Sequence, residues 1–254
     1  MVTNTASFDF GGARVVVTGG TSGIGHAIAS AFHSAGATVL VTGTRDSADG
    51  YDLDLAGFSF HQLLLDDPDS IDGFLASLGD QGAGLDVLVN NAGANLPGGR
   101  DEWSPEGFAD SVAINLTGPM RLTVGCERLL AASGMDGGAS VVNLASMASY
   151  RSQAFVPGYG AAKAAVVNLT ANLAQRWAGA GVRVNAIAPG LIDTPMTAPM
   201  ATIPEVLEAE LARIPMGRSG TPEELTGAVM FLCSSAARYV TGHTVAVDGG
   251  YLTL

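Results

Sequence analysis

Residues 18–25, Thr-Gly-Gly-Thr-Ser-Gly-Ile-Gly, decide the fold of this chain of 254 amino acids. They follow a β-branched run, residues 14–18 (RVVVT), and precede residues 26–35, in which apolar side chains recur with helical spacing. Glycine permits a tight turn and a close backbone approach to a ligand, and the free N–H groups that begin a helix attract an anion. The sequence therefore predicts a strand, a turn that binds the pyrophosphate of a dinucleotide, and a helix.

Outward from this turn, short apolar runs alternate with helical segments along the whole chain. The predicted strands are residues 14–18, 38–42, 58–65, 85–89, 139–144, 182–187 and 244–247. The alternation predicts an α/β fold, a single Rossmann-like, doubly wound domain over residues 1–254, with a seven-stranded parallel sheet and helices on both faces. The short acidic segment 45–57 is not expected to form a full helix.

Charge and composition exclude several classes of partner. A net charge of -12 disfavours nucleic acid and anionic membranes, because such partners need a basic surface. No apolar run approaches the ~18 residues of a membrane span, and residues 1–10 lack the pattern of a signal peptide. The two cysteines and four histidines follow no disulfide or metal-ligand spacing. We expect a cytoplasmic protein without a metal site.

The end of the second predicted strand bears on the choice of dinucleotide. An acidic residue there would bond both ribose hydroxyls of NAD(H) and repel the 2′-phosphate of NADP(H). Here the strand ends in Gly43, Thr44 and Arg45, which offer space, a hydroxyl donor and a cation that can pair with the phosphate. NADP(H) is favoured, and the neighbouring Asp46 keeps NAD(H) open.

The sequence after the fifth predicted strand contains a catalytic pattern of three residues. Tyr159 and Lys163 are four apart at the start of a long helical segment and therefore share a face, and Ser146 lies thirteen residues upstream of Tyr159. A neighbouring ammonium favours the phenolate and lowers the pKa of a tyrosine towards the range useful for acid–base work. Lys163 is the only lysine in the chain, which makes an accidental surface position a poor explanation.

These motifs resemble those of the short-chain dehydrogenase/reductase family, over residues 10–251. They occur in the family's order as TGGTSGIG from Thr18, NNAG from Asn90, INLTG from Ile114, Ser146, YGAAK from Tyr159, and PGLIDT from Pro189. The resemblance implies that Tyr159 is the general acid or base, that Ser146 positions the substrate oxygen, and that Lys163 holds the nicotinamide ribose. It also implies that Asn115 completes the catalytic set through a bound water.

The same resemblance implies a set of cofactor-binding residues. They are Gly19, Thr21, Ser22, Gly23, Ile24, Gly25, Thr44, Arg45, Leu65, Asp66, Asn90, Ala92, Gly93, Tyr159, Lys163, Pro189, Gly190, Ile192 and Thr194. The sequence departs from the family after the third strand, where it reads Leu64-Leu65-Asp66-Asp67, so that Asp66 is the expected contact to the adenine.

The expected reaction is hydride transfer between NADP(H) and a ketone or secondary alcohol of small to medium size. The substrate pocket is expected to include Asn95, Leu96, Met147, Tyr150, Gln153, Phe155, Val156, Met196, Met200, Ile203 and Leu207. Residues 191–215 are expected to form a loop that closes over the substrate, with a helix after Pro204.

Two other functions stay open from the sequence. A 3-oxoacyl-thioester reductase would need a basic face for an acidic carrier protein, which Arg100, Arg121, Arg128 and Arg151 could supply. A protein that senses the cofactor without turnover is a more remote alternative, which the Asn-Ser-Tyr-Lys set disfavours. The low charged fraction of 14%, together with the family's habit of pairing helices between subunits, predicts a homotetramer.

Overall fold

The strands form one parallel sheet that is covered on both faces. The computed structural model describes residues 4–80 and 82–253, and within them the sheet has seven strands in the order β3-β2-β1-β4-β5-β6-β7. The strands are β1 (Arg14–Val17), β2 (Thr38–Gly43), β3 (Ser59–Gln62), β4 (Val87–Asn90), β5 (Ala139–Leu144), β6 (Val182–Pro189) and β7 (Thr244–Val247). This order confirms the predicted Rossmann-like class, because it reverses direction between β1 and β4.

The helices occupy the positions that the alternating pattern requires. In the described residues they are α1 (Gly23–Ser34), α2 (Pro68–Asp80), α3 (Pro105–Val112), α4 (Gly118–Gly125), α5 (Glu127–Ala131), α6 (Pro157–Trp177), α7 (Ala198–Ala201), α8 (Pro204–Leu211) and α9 (Glu223–Cys233). Segment 45–57 contains a single 3₁₀ turn, Ala48–Gly50, in agreement with the expectation for that crossover.

Both faces of the sheet are buried, which explains why the strands are continuously apolar. Val15 and Val17 join the core cluster of α1 and α9, whereas Val16 joins the cluster of α2, α4 and α6. Successive side chains of a strand point to opposite faces, so each buried valine serves one of the two layers.

The third strand is shorter than predicted, because it ends at Gln62 instead of residue 65. Leu63 and Leu65 are buried outside the strand, in the core cluster that includes α2. The apolar run continues past the last paired residue, and a sequence pattern cannot separate burial in a strand from burial in the turn that follows.

The segment between β4 and β5 contains a feature that positions the site. Helices α3 and α4 are joined through a π-helical turn, Ala113–Thr117, which carries Asn115. A π turn widens the helix by one residue and often marks a functional position.

Among the described residues, no helix combines the length and hydropathy needed to cross a membrane.

Candidate active site

A cleft of about 450 Å³ lies at the carboxyl ends of the strands, where the order of the sheet reverses. Ligands of doubly wound folds bind at this point, because the loops after the two central strands diverge there. Most of the predicted cofactor residues line it, namely Gly19, Thr21, Ser22, Gly23, Ile24, Gly25, Thr44, Leu65, Asp66, Ala92, Gly93, Tyr159, Lys163, Pro189, Gly190, Ile192 and Thr194. The structure therefore brings distant segments of the sequence to one site.

The glycine turn forms a cradle at the start of α1. Gly19 has a left-handed φ of 63°, and a Cβ at Gly25 would collide with the Asn91 amide and the Gly19 carbonyl. The Asn91 amide itself donates to the carbonyls of Thr18, at 2.9 Å, and Gly19, at 3.1 Å. With no side chain in the way, the first N–H groups of α1 are open to an anion, which fits the pyrophosphate of a dinucleotide.

Thr44 lines the cleft, whereas the Arg45 side chain lies outside it. The Arg45 guanidinium carbon lies 4.9 Å from the centroid of the Tyr51 ring, and the Arg45 amide donates to the Tyr51 hydroxyl at 2.8 Å. The Asp46 carboxylate accepts a hydrogen bond of 2.9 Å from the Gln62 amide. Tyr51 and Gln62 therefore hold the two charged residues of the turn that follows Thr44.

Asn90 is a predicted cofactor residue whose side chain the structure does not bring to the cleft. Its amide is buried, and it donates to the Thr123 hydroxyl at 2.7 Å and to the Asn143 carbonyl oxygen at 2.8 Å. The next residue, Asn91, lines the cleft instead, although the sequence reasoning did not select it. The strand alternation explains the difference, because Asn90 shares the face of Leu88, which belongs to the α4 and α6 side of the sheet.

Tyr159 lies in the first turn of α6, and Lys163 follows one turn later. The Lys163 ammonium nitrogen is 5.6 Å from the centroid of the Tyr159 ring and donates to the Leu144 carbonyl at 2.7 Å. Burial lowers the pKa of Lys163 to about 8. Because burial disfavours the charged form, this ammonium releases its proton far more readily than an exposed lysine does.

The pKa of Tyr159 is raised, which is opposite to the direction expected from the neighbouring lysine alone. Burial is the largest cause, since it disfavours the phenolate. A hydrogen bond with Ser146 lowers the pKa, and the negative charge of Glu102 raises it. The protein by itself therefore keeps the phenol protonated, in the form that can donate to a substrate oxygen.

Ser146 is held at the end of β5 by a short capped turn, Met147–Ser149. Its hydroxyl accepts from the Ala148 amide at 3.1 Å, and the Ser149 hydroxyl donates to the Lys163 carbonyl at 2.8 Å. This second contact ties the turn to α6. The distance between Ser146 and Tyr159 is thus fixed by hydrogen bonds between the two elements that carry them.

Asn115 fixes the loop that follows β4. Its amide donates to the Ala94 carbonyl at 2.6 Å and to the Ser111 carbonyl at 2.9 Å, and its carbonyl oxygen accepts from the Ala94 amide at 3.1 Å. A Cβ at Gly93 would lie 2.6 Å from that oxygen and 3.4 Å from the Lys163 nitrogen. Asn115, Gly93 and Lys163 are therefore in close contact.

The substrate half of the cleft contains about half of the residues expected there. Asn95, Met147, Gln153, Val156, Met196 and Met200 line it, and Leu96, Tyr150, Phe155, Ile203 and Leu207 do not. Phe155 is 85% exposed, and Leu207 packs in the cluster of Leu191 and Tyr251. Residues 191–215 form α7 and α8 over this end, and the predicted helix after Pro204 is confirmed.

The sequence reasoning missed Glu102, which is fully buried beside Tyr159. Its carboxylate accepts from the amides of Leu96 and Tyr159, both at 2.8 Å. An acidic residue in a polar, glycine-rich segment is ordinarily solvated, so no local pattern indicates this position.

In the part of the chain that the structure describes, no group of three or more candidate ligands could hold a metal ion.

Comparisons with known proteins agree with this geometry. The family model described as Enoyl-(Acyl carrier protein) reductase matches residues 19–252. The 3-oxoacyl-[acyl-carrier-protein] reductase FabG of Vibrio cholerae is 36% identical over 94% of this chain and 97% of its own length. The 2-dehydro-3-deoxy-D-gluconate 5-dehydrogenase of Bacillus subtilis is 36% identical over 97% of both chains.

The chain belongs to the short-chain dehydrogenase/reductase family. A solved dehydrogenase of Agrobacterium tumefaciens with bound NADP has a TM-score of 0.83 and 36% identity, and the match covers 97% of this chain and 99% of that one. As a short-chain dehydrogenase/reductase, this protein is an NAD(P)-dependent oxidoreductase that acts on an alcohol or a ketone. The bound nicotinamide supplies or accepts the hydride in such an enzyme.

The residues of this short-chain dehydrogenase/reductase can supply the remaining chemistry. The glycine turn can accommodate a pyrophosphate, and the Tyr159 phenol can donate a proton to a carbonyl oxygen placed between it and the Ser146 hydroxyl. Lys163 lies one turn from the phenol with a pKa of about 8, so it can return a proton near neutral pH. The site therefore holds a proton donor next to the end of a dinucleotide cleft.

Proposed function

We propose that this protein is an NADP(H)-dependent oxidoreductase that transfers a hydride between the nicotinamide and a ketone or secondary alcohol. The observation that carries this proposal is that Ser146, Tyr159 and Lys163 line the same cleft as the glycine turn, with the Lys163 ammonium 5.6 Å from the centre of the Tyr159 ring. A ketone oxygen that accepts from both hydroxyls is polarised and fixed before the hydride arrives. Tyr159 then donates the proton in reduction and removes it in oxidation.

Lys163 and Asn115 have supporting roles in this proposal. Lys163 holds the nicotinamide ribose with its ammonium and passes protons to Tyr159, while Asn115 keeps the loop of Gly93 and Ala94 in place. Ile192 and Thr194 also line the cleft, and they offer a backbone amide and a hydroxyl to the nicotinamide.

The preference for NADP(H) rests on the turn after β2. Thr44 offers a hydroxyl to the cleft, and Arg45, the next residue, would leave its stacking contact with Tyr51 to pair with a 2′-phosphate. Asp46, which would favour NAD(H), is bound to Gln62. The dehydrogenase of Agrobacterium tumefaciens that was solved with NADP supports the same choice.

The lining of the substrate half favours an apolar substrate of small to medium size. Met147, Val156, Met196 and Met200 provide apolar contacts, and Asn95 and Gln153 provide amides. Among the described lining residues the only cation is Lys163, which Tyr159 and the cofactor already use. A sugar acid, as the name of the Bacillus subtilis relative implies, would find no side chain here to pair with its carboxylate.

A 3-oxoacyl-thioester reductase is the second candidate, which the name of the Vibrio cholerae relative favours. This activity requires a basic face that attracts an acidic carrier protein. Here Arg100 is paired with Asp110 and Arg121 with Asp72, which reduces the positive charge available for such a face. Membership of a family of oxidoreductases disfavours the cofactor-sensing alternative.

We also infer a single domain over residues 1–254, a cytoplasmic location and a homotetramer. The two free cysteines are buried, which suits a reducing compartment. Phe108, Met120 and Val124 are each at least 39% exposed on α3 and α4, and a partner subunit would cover them. Sedimentation of the full chain at micromolar concentration tests the assembly, and a monomer alone would exclude it.

The decisive experiment is a panel of ketones, secondary alcohols and 3-oxoacyl thioesters, assayed with NADPH and NADH by absorbance of the reduced nicotinamide. We expect turnover of apolar ketones with a higher kcat/KM for NADPH. Turnover confined to thioesters would establish the second candidate, and turnover of sugar acids in preference to ketones would contradict the reading of the substrate half.

A further inference from the structure

Glu102 joins the two segments that enclose the reacting groups. Its Oε1 accepts from the Leu96 amide, in the loop after β4, and its Oε2 accepts from the Tyr159 amide, in the first turn of α6. Both distances are 2.8 Å, and the side chain is fully buried. None of the ion pairs found in the described residues includes Glu102.

The carboxylate serves as the missing cap of α6. Val156 precedes the helix and makes no side-chain cap hydrogen bond, and Pro157 in the first turn has no N–H group. The Tyr159 amide is one of the free donors that every helix start leaves, and a carboxylate is favoured at this end of the helix. Glu102 reaches it from a segment 57 residues earlier in the chain.

The surroundings of Glu102 are shaped to admit it. A Cβ at Gly158 would lie 2.9 Å from the Ser111 Cβ and 3.2 Å from Glu102 Oε2, so the glycine leaves room for the carboxylate. Burying a carboxylate is costly, and a hydroxyl or amide would satisfy one helix amide at lower cost. Stability alone therefore does not account for a glutamate at this position.

The charged and titratable groups around Tyr159 come from three elements. Glu102 precedes α3, Lys163 lies on α6, and Ser146, which is not charged, lies at the end of β5. Of these, Glu102 is the acidic group whose charge acts on the phenol. The position of Glu102 therefore affects the protonation of Tyr159 as well as the placement of Tyr159 in the cleft.

We propose that Glu102 is a positioning residue for the reaction, which fixes Tyr159 against the loop after β4 through its hydrogen bonds with the Leu96 and Tyr159 amides. This inference rests on the proposed role of Tyr159. The negative charge of Glu102 also raises the pKa of Tyr159 and so favours the protonated phenol. The pair is thus arranged for proton donation to a carbonyl, which is the direction of reduction.

The test is Glu102→Gln, with Glu106→Gln as the matched control, because Glu106 is an exposed acidic residue in the first turn of α3. The assays use the ketone that is turned over best in the panel and its alcohol, with kcat and KM measured across pH in both directions. Binding of NADPH, followed by nicotinamide fluorescence, reports whether the cleft is intact.

We expect Glu102→Gln to lower kcat about 10- to 100-fold, because the amide cannot accept at both oxygens and the phenol is displaced. The dissociation constant of NADPH should stay within about 2-fold of the parent protein, because Glu102 does not line the cleft. The part of the pH profile of kcat that reports the ionisation of Tyr159 should move to lower pH, because removing the negative charge of Glu102 lowers the pKa of the phenol. Glu106→Gln should change none of these quantities.

Glu102→Asp separates charge from placement and keeps the test valid if the glutamine variant does not fold. The aspartate keeps the charge on a shorter side chain, so kcat should fall while the Tyr159 ionisation in the pH profile of kcat stays in place. A glutamine variant with the parent kcat and an unshifted pH profile would overturn the proposal. A folded aspartate variant with the parent kcat would overturn it as well. If Tyr159→Phe kept its activity, the proposed function would fail instead.

Discussion

The ammonium of Lys163 lies 5.6 Å from the centre of the Tyr159 ring, and in the lining of the cleft Lys163 is buried and Tyr159 half-buried. Burial raises the pKa of Tyr159 above its ordinary value of 10.0 and lowers that of Lys163 from 10.5 to about 8, so the two values move apart. The group with the higher pKa holds its proton more tightly. The phenol is therefore the protonated partner of the pair, and a phenolate left after proton donation can be reprotonated by the Lys163 ammonium.

Tyr159→Phe removes the proton donor and leaves the ring in place. We expect kcat to fall at least about 1,000-fold, because general acid catalysis contributes 10²- to 10⁴-fold and the bond with Ser146 is also lost. The dissociation constant of NADPH should change little. Steady-state kinetics and nicotinamide fluorescence check both quantities, and retention of most of the activity would refute the assignment.

Arg45→Ala tests the discrimination between the two nicotinamide cofactors. We expect the KM for NADPH to rise about 10- to 100-fold, since a charge-assisted bond to phosphate contributes 1.5–3 kcal/mol, and the KM for NADH to change little. Arg128→Ala, an exposed change on α5, is the control. Equal effects of Arg45→Ala on both cofactors would contradict a phosphate contact.

Lys163→Met changes how stability depends on pH. The pKa of Lys163 is about 8 in the folded protein against 10.5 as the ordinary value, so the unfolded chain binds this proton more tightly. The free energy of unfolding contributed by Lys163 therefore rises from pH 8 to 10.5, by on the order of 3 kcal/mol, and is constant below that window.

Urea unfolding at several pH values measures this effect. The difference in free energy between the parent protein and Lys163→Met should shift in favour of the parent as the pH rises through the window. Arg176→Met, an exposed change on the same helix, should give a difference that does not vary with pH. A constant difference for Lys163→Met would show that the lysine is not buried as a cation.

Gly25→Ala tests the close packing of the glycine turn. The added methyl would collide with Asn91 and the Gly19 carbonyl, so we expect a loss of stability of about 1–3 kcal/mol and of NADPH binding. Gly227→Ala, in the middle of α9, is the control, because a Cβ there meets nothing within 4 Å. It should stabilise the protein by about 0.5–1 kcal/mol, as measured by urea unfolding.

Cys126 and Cys233 are expected to resist thiol reagents in the folded protein. Burial raises the pKa of each thiol to about 12, and the thiolate is the reactive form. A disulfide reagent at pH 8 should label less than about a tenth of the thiols over an hour, and both at once in denaturant. Rapid labelling without denaturant would indicate that this part of the core opens readily.

The site could be predicted where its chemistry is local in the sequence. The glycine turn and the pair of Tyr159 and Lys163 follow from spacings of a few residues, and all of them lie where the sequence places them. The direction of the pKa of Tyr159 could not be predicted, because it depends on burial by segments that are distant in the sequence.

Asn90 and Glu102 show two different limits of the sequence. The alternation of the strand predicts the orientation of Asn90, since Leu88 and Asn90 share a face. The family motif instead led to the prediction that Asn90 contacts the cofactor, and that prediction did not take the orientation of the side chain into account. Glu102 had no such signal. Its two partners belong to the loop before it and to a helix 57 residues later, and only the folded chain brings them together.

The burial of the single lysine has a practical consequence for chemical work on this protein. Lys163 is only 4% exposed, so amine-directed dyes, crosslinkers and activated resins find no accessible lysine side chain. The 24 carboxylates give carbodiimide coupling many more points of attachment. Immobilisation through acidic side chains should therefore leave the Lys163 amine unmodified.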